Sequence, residues 1–178
     1  MILKELKAKV LALIEESDGD ADIDTKFNGV INQVMYEVCR IKKLPKYCEI
    51  EVKKGDLIDF ADIEKECGYV VFQIESVRGV DHEIKASGTV YKALEAGVME
   101  IEVFVYPERI NAKTNDSYEF ELTEDVLEVM VYGIAADLLM TDVSSNYGYI
   151  YRQRYETMLN RLDTRQNVSV IVEGGVVI

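Results

Sequence analysis

Four aspartates alternate near the N-terminus, and their spacing is the first pattern in the chain that could bind a cation. They are Asp18, Asp20, Asp22 and Asp24. Carboxylates at alternate positions are typical of a helix–loop–helix calcium site, which also requires glycine at its sixth position and an acid at its twelfth. Counted from Asp18, those positions hold Ile23 and Gly29. The favoured interpretation is that Asp24 caps the helix that follows.

The residue types that most often perform catalysis are sparse. His82 is the single histidine, so no second one exists for a metal or a proton relay. Cys39, Cys48 and Cys67 form no C-x-x-C pair and are expected to be buried, reduced thiols. The chain has no P-loop, no G-x-S-x-G and no G-x-G-x-x-G. We therefore predict a protein that is not an enzyme, with no catalytic, metal-binding or cofactor-binding residues and no cofactor.

Composition limits the partners of the chain. Its 178 residues carry a net charge of −13, and 48% of them are hydrophobic, which indicates one domain or one domain with an insertion. Affinity for the outside of nucleic acid comes from Lys and Arg, so that function is disfavoured. The charge either serves solubility or repels a polyanion, as the lining of a DNA pore would. No signal peptide and no run of ~18 apolar residues is present, so we predict synthesis in the cytoplasm and no membrane contact.

Apolar spacing predicts two helices before the first change of period. The first covers about Ile2–Glu16 and the second about Thr25–Lys43, ending before Pro45. Asn32 lies inside the second helix and has two interpretations. It faces solvent or bonds to another side chain, or it makes a deliberate hydrogen bond to the β-rich region that follows.

From Tyr47 onward, alternation of apolar and polar residues predicts strands. The strongest pattern is a hairpin of Glu83–Leu94 and Val98–Tyr106 around Gly97. Together with Tyr69–Ile74, these segments predict one inserted antiparallel sheet of about four to six strands.

The segment Glu119–Asp163 is the centre of the predicted fold. Its first half is apolar on most of a helical surface, and a second helix follows with Tyr147, Tyr151, Tyr155, Met158 and Leu162 at helical spacing. The two helices are expected to pack as a hairpin. Three arginines of the second helix stand out in an acidic chain, and they are interpreted either as solvated surface or as contacts to an acidic neighbouring subunit. They are Arg152, Arg154 and Arg161.

The C-terminal segment is rich in valine and ends at a free terminus. One interpretation is strand addition to another chain, and the other is a last strand of its own sheet. The apolar residues that would make the contact are Val168, Val170, Ile171, Val172, Val176, Val177 and Ile178. The predicted fold class is α+β. An antiparallel bundle of about four helices (1–46 and 118–165) carries an inserted antiparallel β-sheet (47–117) and a free C-terminal tail (166–178).

Three parts of the chain resemble the head-to-tail adaptor, or connector, proteins of tailed bacteriophages, also called tail tubular protein A or head-completion proteins. The opening is similar in its short helix, its Asp-rich break and a second helix, Asp24–Arg40, that carries Asn32 and Glu37. A β-rich insertion then ends at Tyr106-Pro107. The closing helix pair, Leu127–Leu139 and Tyr147–Leu162, shares the family's habits at Tyr132, Ala135, Ala136, Leu139, Tyr155 and Leu162.

The resemblance implies a non-catalytic virion protein that assembles in the host cytoplasm. Its subunits would form a dodecameric ring beneath the portal protein and join it to the tail proteins. The helices would surround a channel through which DNA passes without specific binding, and the β-rich part would face outward or toward the tail. The C-terminal segment would embed in the portal or in a neighbouring subunit, and the isolated subunit could remain a monomer until that template orders it.

A second function class remains open from the residues themselves. The inserted sheet and the tyrosine-rich helix could form the pocket of a soluble, non-catalytic ligand-binding or regulatory module. Binding to the portal distinguishes the first class, and a small molecule that is retained by the purified protein distinguishes the second.

Overall fold

The computed structural model describes residues 1–15, 21–85, 89–140 and 146–166, with the side chains of 21–25 and 163–166 left out. The described residues form five helices and six strands. In chain order they are α1 (Leu3–Ile14), α2 (Ala21–Lys42), β1 (Leu44–Val52), β2 (Leu57–Asp59), α3 (Phe60–Cys67), β3 (Val70–Arg78), β4 (His82–Lys85), β5 (Val90–Ala93), β6 (Gly97–Tyr106), α4 (Glu124–Leu139) and α5 (Tyr147–Gln166). The chain divides into two compact units, with unit 1 made of Met1–Lys42 and Arg109–Ile178, and unit 2 of Lys43–Glu108.

The core of unit 1 is built around α4. Nearly every side of this helix is buried, because α1, α2 and α5 all pack against it. The spacing of Leu3, Leu6, Val10, Leu13 and Ile14 predicts a buried stripe on α1. The structure confirms it at four of these residues, whereas Leu13 is only half-buried. Burial of each such side chain contributes about 1.5–3 kcal/mol. The start of α1 is also fixed to the chain before α4, since the Leu3 amide donates to the Tyr118 carbonyl at 2.9 Å.

Unit 2 contains two antiparallel sheets of three strands each. Sheet 1 has the order β1-β6-β3 and sheet 2 the order β2-β5-β4. In β6, the side chains of Met99, Ile101, Val103 and Val105 are buried, while Glu100 on the other face is exposed. This alternation follows from the two-residue period of a strand, and it places Glu49, Glu51, Glu100 and Glu102 together on the other face of sheet 1.

The predicted architecture, a bundle of about four helices with one inserted antiparallel sheet, is wrong. A fifth helix, α3, lies within the β-rich region. Asp59 and Asp62 each accept a hydrogen bond from the other's backbone amide and cap its start, and Gly68 ends it at a φ of +74°. From sequence alone, Leu57–Ile63 is interpreted as a weak strand or a short irregular piece. The capping box and the terminal glycine make a helix of Phe60–Cys67 instead.

The predicted hairpin is wrong as well. Because its two strands do not pair with each other, the strands form two sheets instead of one. Three residues separate β5 from β6, yet β5 pairs with β2 and β4, whereas β6 pairs with β1 and β3. Backbone hydrogen bonds hold the end of β5 elsewhere, because the Ala93 carbonyl accepts from the Gly55 amide at 2.8 Å and the Leu94 amide donates to the Asp81 carbonyl at 2.8 Å. The predicted C-terminal tail begins at 166, and residues 167–178 lie outside the described part of the chain.

The length and apolar character of the helices bear on whether any of them could span a membrane. Within the ranges that the structure describes, none of them combines enough length with enough apolar character to cross a membrane.

Candidate interaction surfaces

The buried side of α5 fixes how this helix presents its other side. Tyr155 is fully buried, and Leu159 and Leu162 extend the contact. Gly133 of α4 makes room for the tyrosine ring, since a Cβ at that position would lie 2.8 Å from both Tyr155 Cε2 and Val34 Cγ1. A side chain on α4 at this level would therefore push α5 away.

The other tyrosines of α5 are not buried as Tyr155 is. Tyr151 is half-buried and donates its hydroxyl hydrogen to the Leu13 carbonyl at 2.8 Å. Tyr147, one turn earlier, retains 62% of its exposure. The predicted core stripe therefore holds in its second half only.

Four large apolar side chains near the end of α4 and the start of α5 are exposed. Met140, Tyr147, Tyr149 and Ile150 retain 65%, 62%, 69% and 52% of their exposure. A single exposed apolar residue is ordinary, but four that flank one break between helices favour a protein–protein contact there. We call these four residues the hairpin-end patch.

The three arginines of α5 that were singled out from the sequence differ in their surroundings. Arg152 forms an ion pair with Asp137, with Nη2 lying 2.5 Å from Oδ1. Arg154 is exposed, and its guanidinium lies 4.7 Å from the centre of the Tyr132 ring, a cation–π contact that fixes its direction. Arg161 is exposed. Arg152 therefore has an intramolecular partner, and a subunit contact by these arginines stays a prediction.

Asp137 provides a test of how burial and pairing compete in unit 1. Burial raises the pKa of its carboxyl above the ordinary value of 3.8, while Arg152 lowers it and Glu37 raises it. A raised folded pKa means that the stability this group contributes is fully present below about pH 4 and is lost as the pH rises through the folded pKa.

We therefore compare the free energy of unfolding of Asp137→Asn with that of the natural protein. Any stability that the variant lacks near pH 4 should be regained, relative to the natural protein, as the pH is raised to about 7. The change in the difference between their free energies of unfolding should be small, on the order of 1 kcal/mol, because burial and the Arg152 ion pair act on the carboxyl in opposite directions. Urea denaturation across this pH range measures it, with Asp116→Asn as an exposed control. A disadvantage that grows with pH would show that the Arg152 ion pair outweighs burial.

A second surface lies on the polar face of sheet 1. Tyr47 retains 75% of its exposure, and its hydroxyl donates a hydrogen bond to Glu102 Oε1 at 2.9 Å. Glu49 lies directly opposite Glu100 in the register of β1 and β6. Like charges in this arrangement destabilise a sheet. Arg78 of β3 is in register with Glu100 on its other side and places a cation beside these carboxylates.

We call this surface the acidic sheet face. It consists of Tyr47, Glu49, Glu51, Arg78, Glu100 and Glu102. Four carboxylates and one guanidinium give it a formal charge of −3, from 1 − 4. A cleft of about 140 Å³ opens on it, lined in part by Tyr47, Glu49 and Arg78. Tyrosine and arginine beside excess carboxylates suit contact with a cationic partner.

The other residues that were singled out from the sequence do not meet at a site. The structure begins α2 at Ala21, so Asp22 and Asp24 lie within a helix and the expected cap at Asp24 is wrong. A calcium loop that starts at Asp18 would need residues 21–29 in loop conformation. Among the described residues, no group of His, Cys, Asp and Glu is arranged to hold a metal ion.

The histidine and the cysteines lie in packed surroundings. His82 Nδ1 is 2.9 Å from the Val80 carbonyl oxygen. Cys39 and Cys48 are buried and Cys67 is half-buried, and none forms a disulfide. Burial raises the pKa of the Cys39 and Cys48 thiols to about 12, so both are poor nucleophiles. The tail residues Val168 to Ile178 lie outside the described part of the chain.

Sequence reasoning missed both surfaces. The alternating Glu49-Ile50-Glu51 and Glu100-Ile101-Glu102 were visible, but the register that places Glu49 against Glu100 was not. The hairpin-end patch could have been found from the break after Met140, because residues that flank a loop are less often covered. Comparison with protein-family models and with curated proteins finds no match for this chain.

Proposed function

We propose that this protein is a structural subunit of the head–tail connector of a phage or prophage, joining the portal to the tail and lining the DNA channel. The resemblance of its helices and inserted β-rich region to that family is one support. The observation that carries the proposal is the hairpin-end patch, in which Met140, Tyr147, Tyr149 and Ile150 are all more than half exposed.

An exposed group of large apolar residues is costly for a chain that acts alone. Fully burying an exposed apolar side chain contributes about 1.5–3 kcal/mol, and each of these partly exposed residues would gain a part of that range in a contact. In a protein that functions within an assembly, contacts with neighbouring subunits bury these side chains and so stabilise the assembly. The net charge of −13 also suits a conduit for DNA, because like charge prevents the polyanion from binding to the wall.

In this proposal the C-terminal residues Val168 to Ile178 bind the portal or the next subunit by strand addition. The subunits form a ring, with twelve copies expected from the family resemblance. The cost of ordering a terminal segment is met on binding, so the free protein is expected to be a monomer or a weak oligomer.

The test is mass by light scattering, first of the protein alone and then of a mixture with the portal from the same genome. We expect a portal-bound ring of many copies. A variant lacking Val168–Ile178 should keep its helical circular dichroism and lose portal binding. A natural chain that ignores the portal would remove the connector proposal. A shortened chain that binds as well as the natural one would remove the role of the tail alone.

A second candidate function rests on a different observation. A cleft of about 380 Å³ lies in unit 2 and is lined by Glu51, Val52, Lys53, Asp56, Gly97 and Val98, a volume in the range of small-molecule sites. A ligand-binding module should retain a small molecule that native mass spectrometry detects, and its melting temperature should fall when the ligand is removed.

A further inference from the structure

The outer side of α5 carries a continuous stripe of exposed residues. Tyr147, Ile150, Arg154, Thr157 and Arg161 follow one another at spacings of three and four residues, and all five are exposed. This spacing places them on one side of a helix. The stripe is apolar at its start and cationic further along, although the chain as a whole has 33 acidic and 20 basic residues.

The composition of the stripe is that of an interface. Tyrosine and arginine are enriched where proteins bind each other, because they combine a large apolar contact area with specific hydrogen bonds. Arg154 is already directed by its contact with the Tyr132 ring at 4.7 Å, so less entropy is lost when it binds a carboxylate. The stripe would therefore bind best to a surface with an exposed apolar ring and excess negative charge.

The acidic sheet face has that chemistry on the same chain. Tyr47 supplies an exposed ring, held by its hydrogen bond to Glu102, and the face has a formal charge of −3. Glu49 and Glu100 repel each other across the strand pair, and a guanidinium placed between them would relieve this repulsion. The face therefore gains more from an incoming arginine than one with balanced charge would.

We infer that the α5 stripe of one copy docks on the acidic sheet face of a second copy, with Arg154 placed against Glu49 and Glu100. Two different surfaces of the same chain then meet, so each copy can bind two neighbours, one through each surface. Contacts of this type close into a ring when the rotation between neighbours permits it. The inference rests on the proposed function in naming the two faces that would join adjacent subunits of the ring.

The test reverses the charge of each face separately in the full chain. Arg154→Glu with Arg161→Glu reverses the stripe, and Glu49→Lys with Glu100→Lys reverses the acidic sheet face. Sedimentation equilibrium at low salt should show self-association of the natural chain that weakens as salt is added. Each double variant should associate about tenfold or more weakly. An equimolar mixture of the two variants should regain association, because every contact in it again joins opposite charges.

A matched control reverses two exposed lysines outside both faces, Lys65→Glu with Lys113→Glu. This pair changes the net charge by the same amount as the stripe variant and should leave association less affected. Circular dichroism and thermal melting confirm that each variant is folded. If the control weakens association as much as the stripe variant does, net charge and not docking is responsible, and the inference is overturned.

The same variants separate this inference from the connector proposal when portal is added. Charge-dependent association without portal binding would support the interface and contradict the connector function. Normal loading of both reversed variants onto the portal would leave the function standing and remove this interface. A natural chain that is monomeric alone, and whose copies on the portal load independently of one another, would also overturn the inference.

Discussion

Replacing Tyr155 with alanine is expected to lower the free energy of unfolding by about 3–5 kcal/mol, the range for loss of a large aromatic side chain from a packed core. The side chain is fully buried between α5 and α4. Its removal leaves a cavity facing Gly133, and glycine has no side chain to fill it. Chemical denaturation followed by far-UV circular dichroism measures the effect, because α4 and α5 belong to the mainly helical unit 1.

The control for this prediction is Tyr155→Phe. The Tyr155 hydroxyl is buried and has no hydrogen-bond partner of acceptable geometry among the described residues. Its pKa is raised by burial and, to a smaller extent, by the nearby Glu37 carboxylate. Burying an unsatisfied hydroxyl is costly, so the phenylalanine variant should be as stable as the natural protein or slightly more so. A loss as large as that of the alanine variant would mean that the hydroxyl makes an essential hydrogen bond.

The same contact predicts a coupling between Gly133 and Tyr155. Gly133→Ala places a methyl group 2.8 Å from the tyrosine ring and from Val34, and overpacking of this kind costs about 1–3 kcal/mol. The better helix propensity of alanine offsets up to about 1 kcal/mol of it. Combined with Tyr155→Ala, the substitution should cost less than it does alone, because the ring it collides with is gone.

Replacing Asn32 with leucine is the second change with a large expected effect. Asn32 is 6% exposed. Its Nδ2 donates to the Ile110 carbonyl at 2.7 Å, and its Oδ1 accepts from the Ile110 amide at 2.8 Å. Ile110 is itself 2% exposed, so water cannot replace the lost partner. Each of the two orphaned backbone groups costs about 1–3 kcal/mol, so we expect the free energy of unfolding to fall by about 2–6 kcal/mol.

Asn28→Leu is the matched control, on the same helix four residues earlier. Its Oδ1 is buried without a hydrogen-bond partner in the described structure, so its loss should cost less than about 1 kcal/mol. Hydrogen exchange provides an independent measure. The Ile110 amide should exchange faster in Asn32→Leu and at the natural rate in Asn28→Leu. Equal effects of the two substitutions would show that the double hydrogen bond is not what stabilises this part of unit 1.

The α5 stripe could be predicted from the sequence only in part. The arginines of α5 were identified as unusual because the chain is acidic, and Arg154 and Arg161 are exposed. The pairing of Arg152 with Asp137 was missed, since it joins two helices whose rotation about their axes was unknown. Similarly, Tyr147 and Tyr155 belong to one pattern of helical spacing, but only Tyr155 lies where α4 offers a glycine.

Local features of the fold follow from the order of the residues. Apolar spacing predicted the helices α1, α2, α4 and α5 to within a few residues, because the period of a helix appears in the spacing of apolar residues that are close in the chain. Tertiary structure decided the rest. Whether β5 pairs with β6 or with β2 and β4 depends on small free-energy differences between distant strands. The helix α3 forms because its capping box outweighs a competing strand pattern. Asn32 is buried only because Ile110, 78 residues later, offers it both a donor and an acceptor.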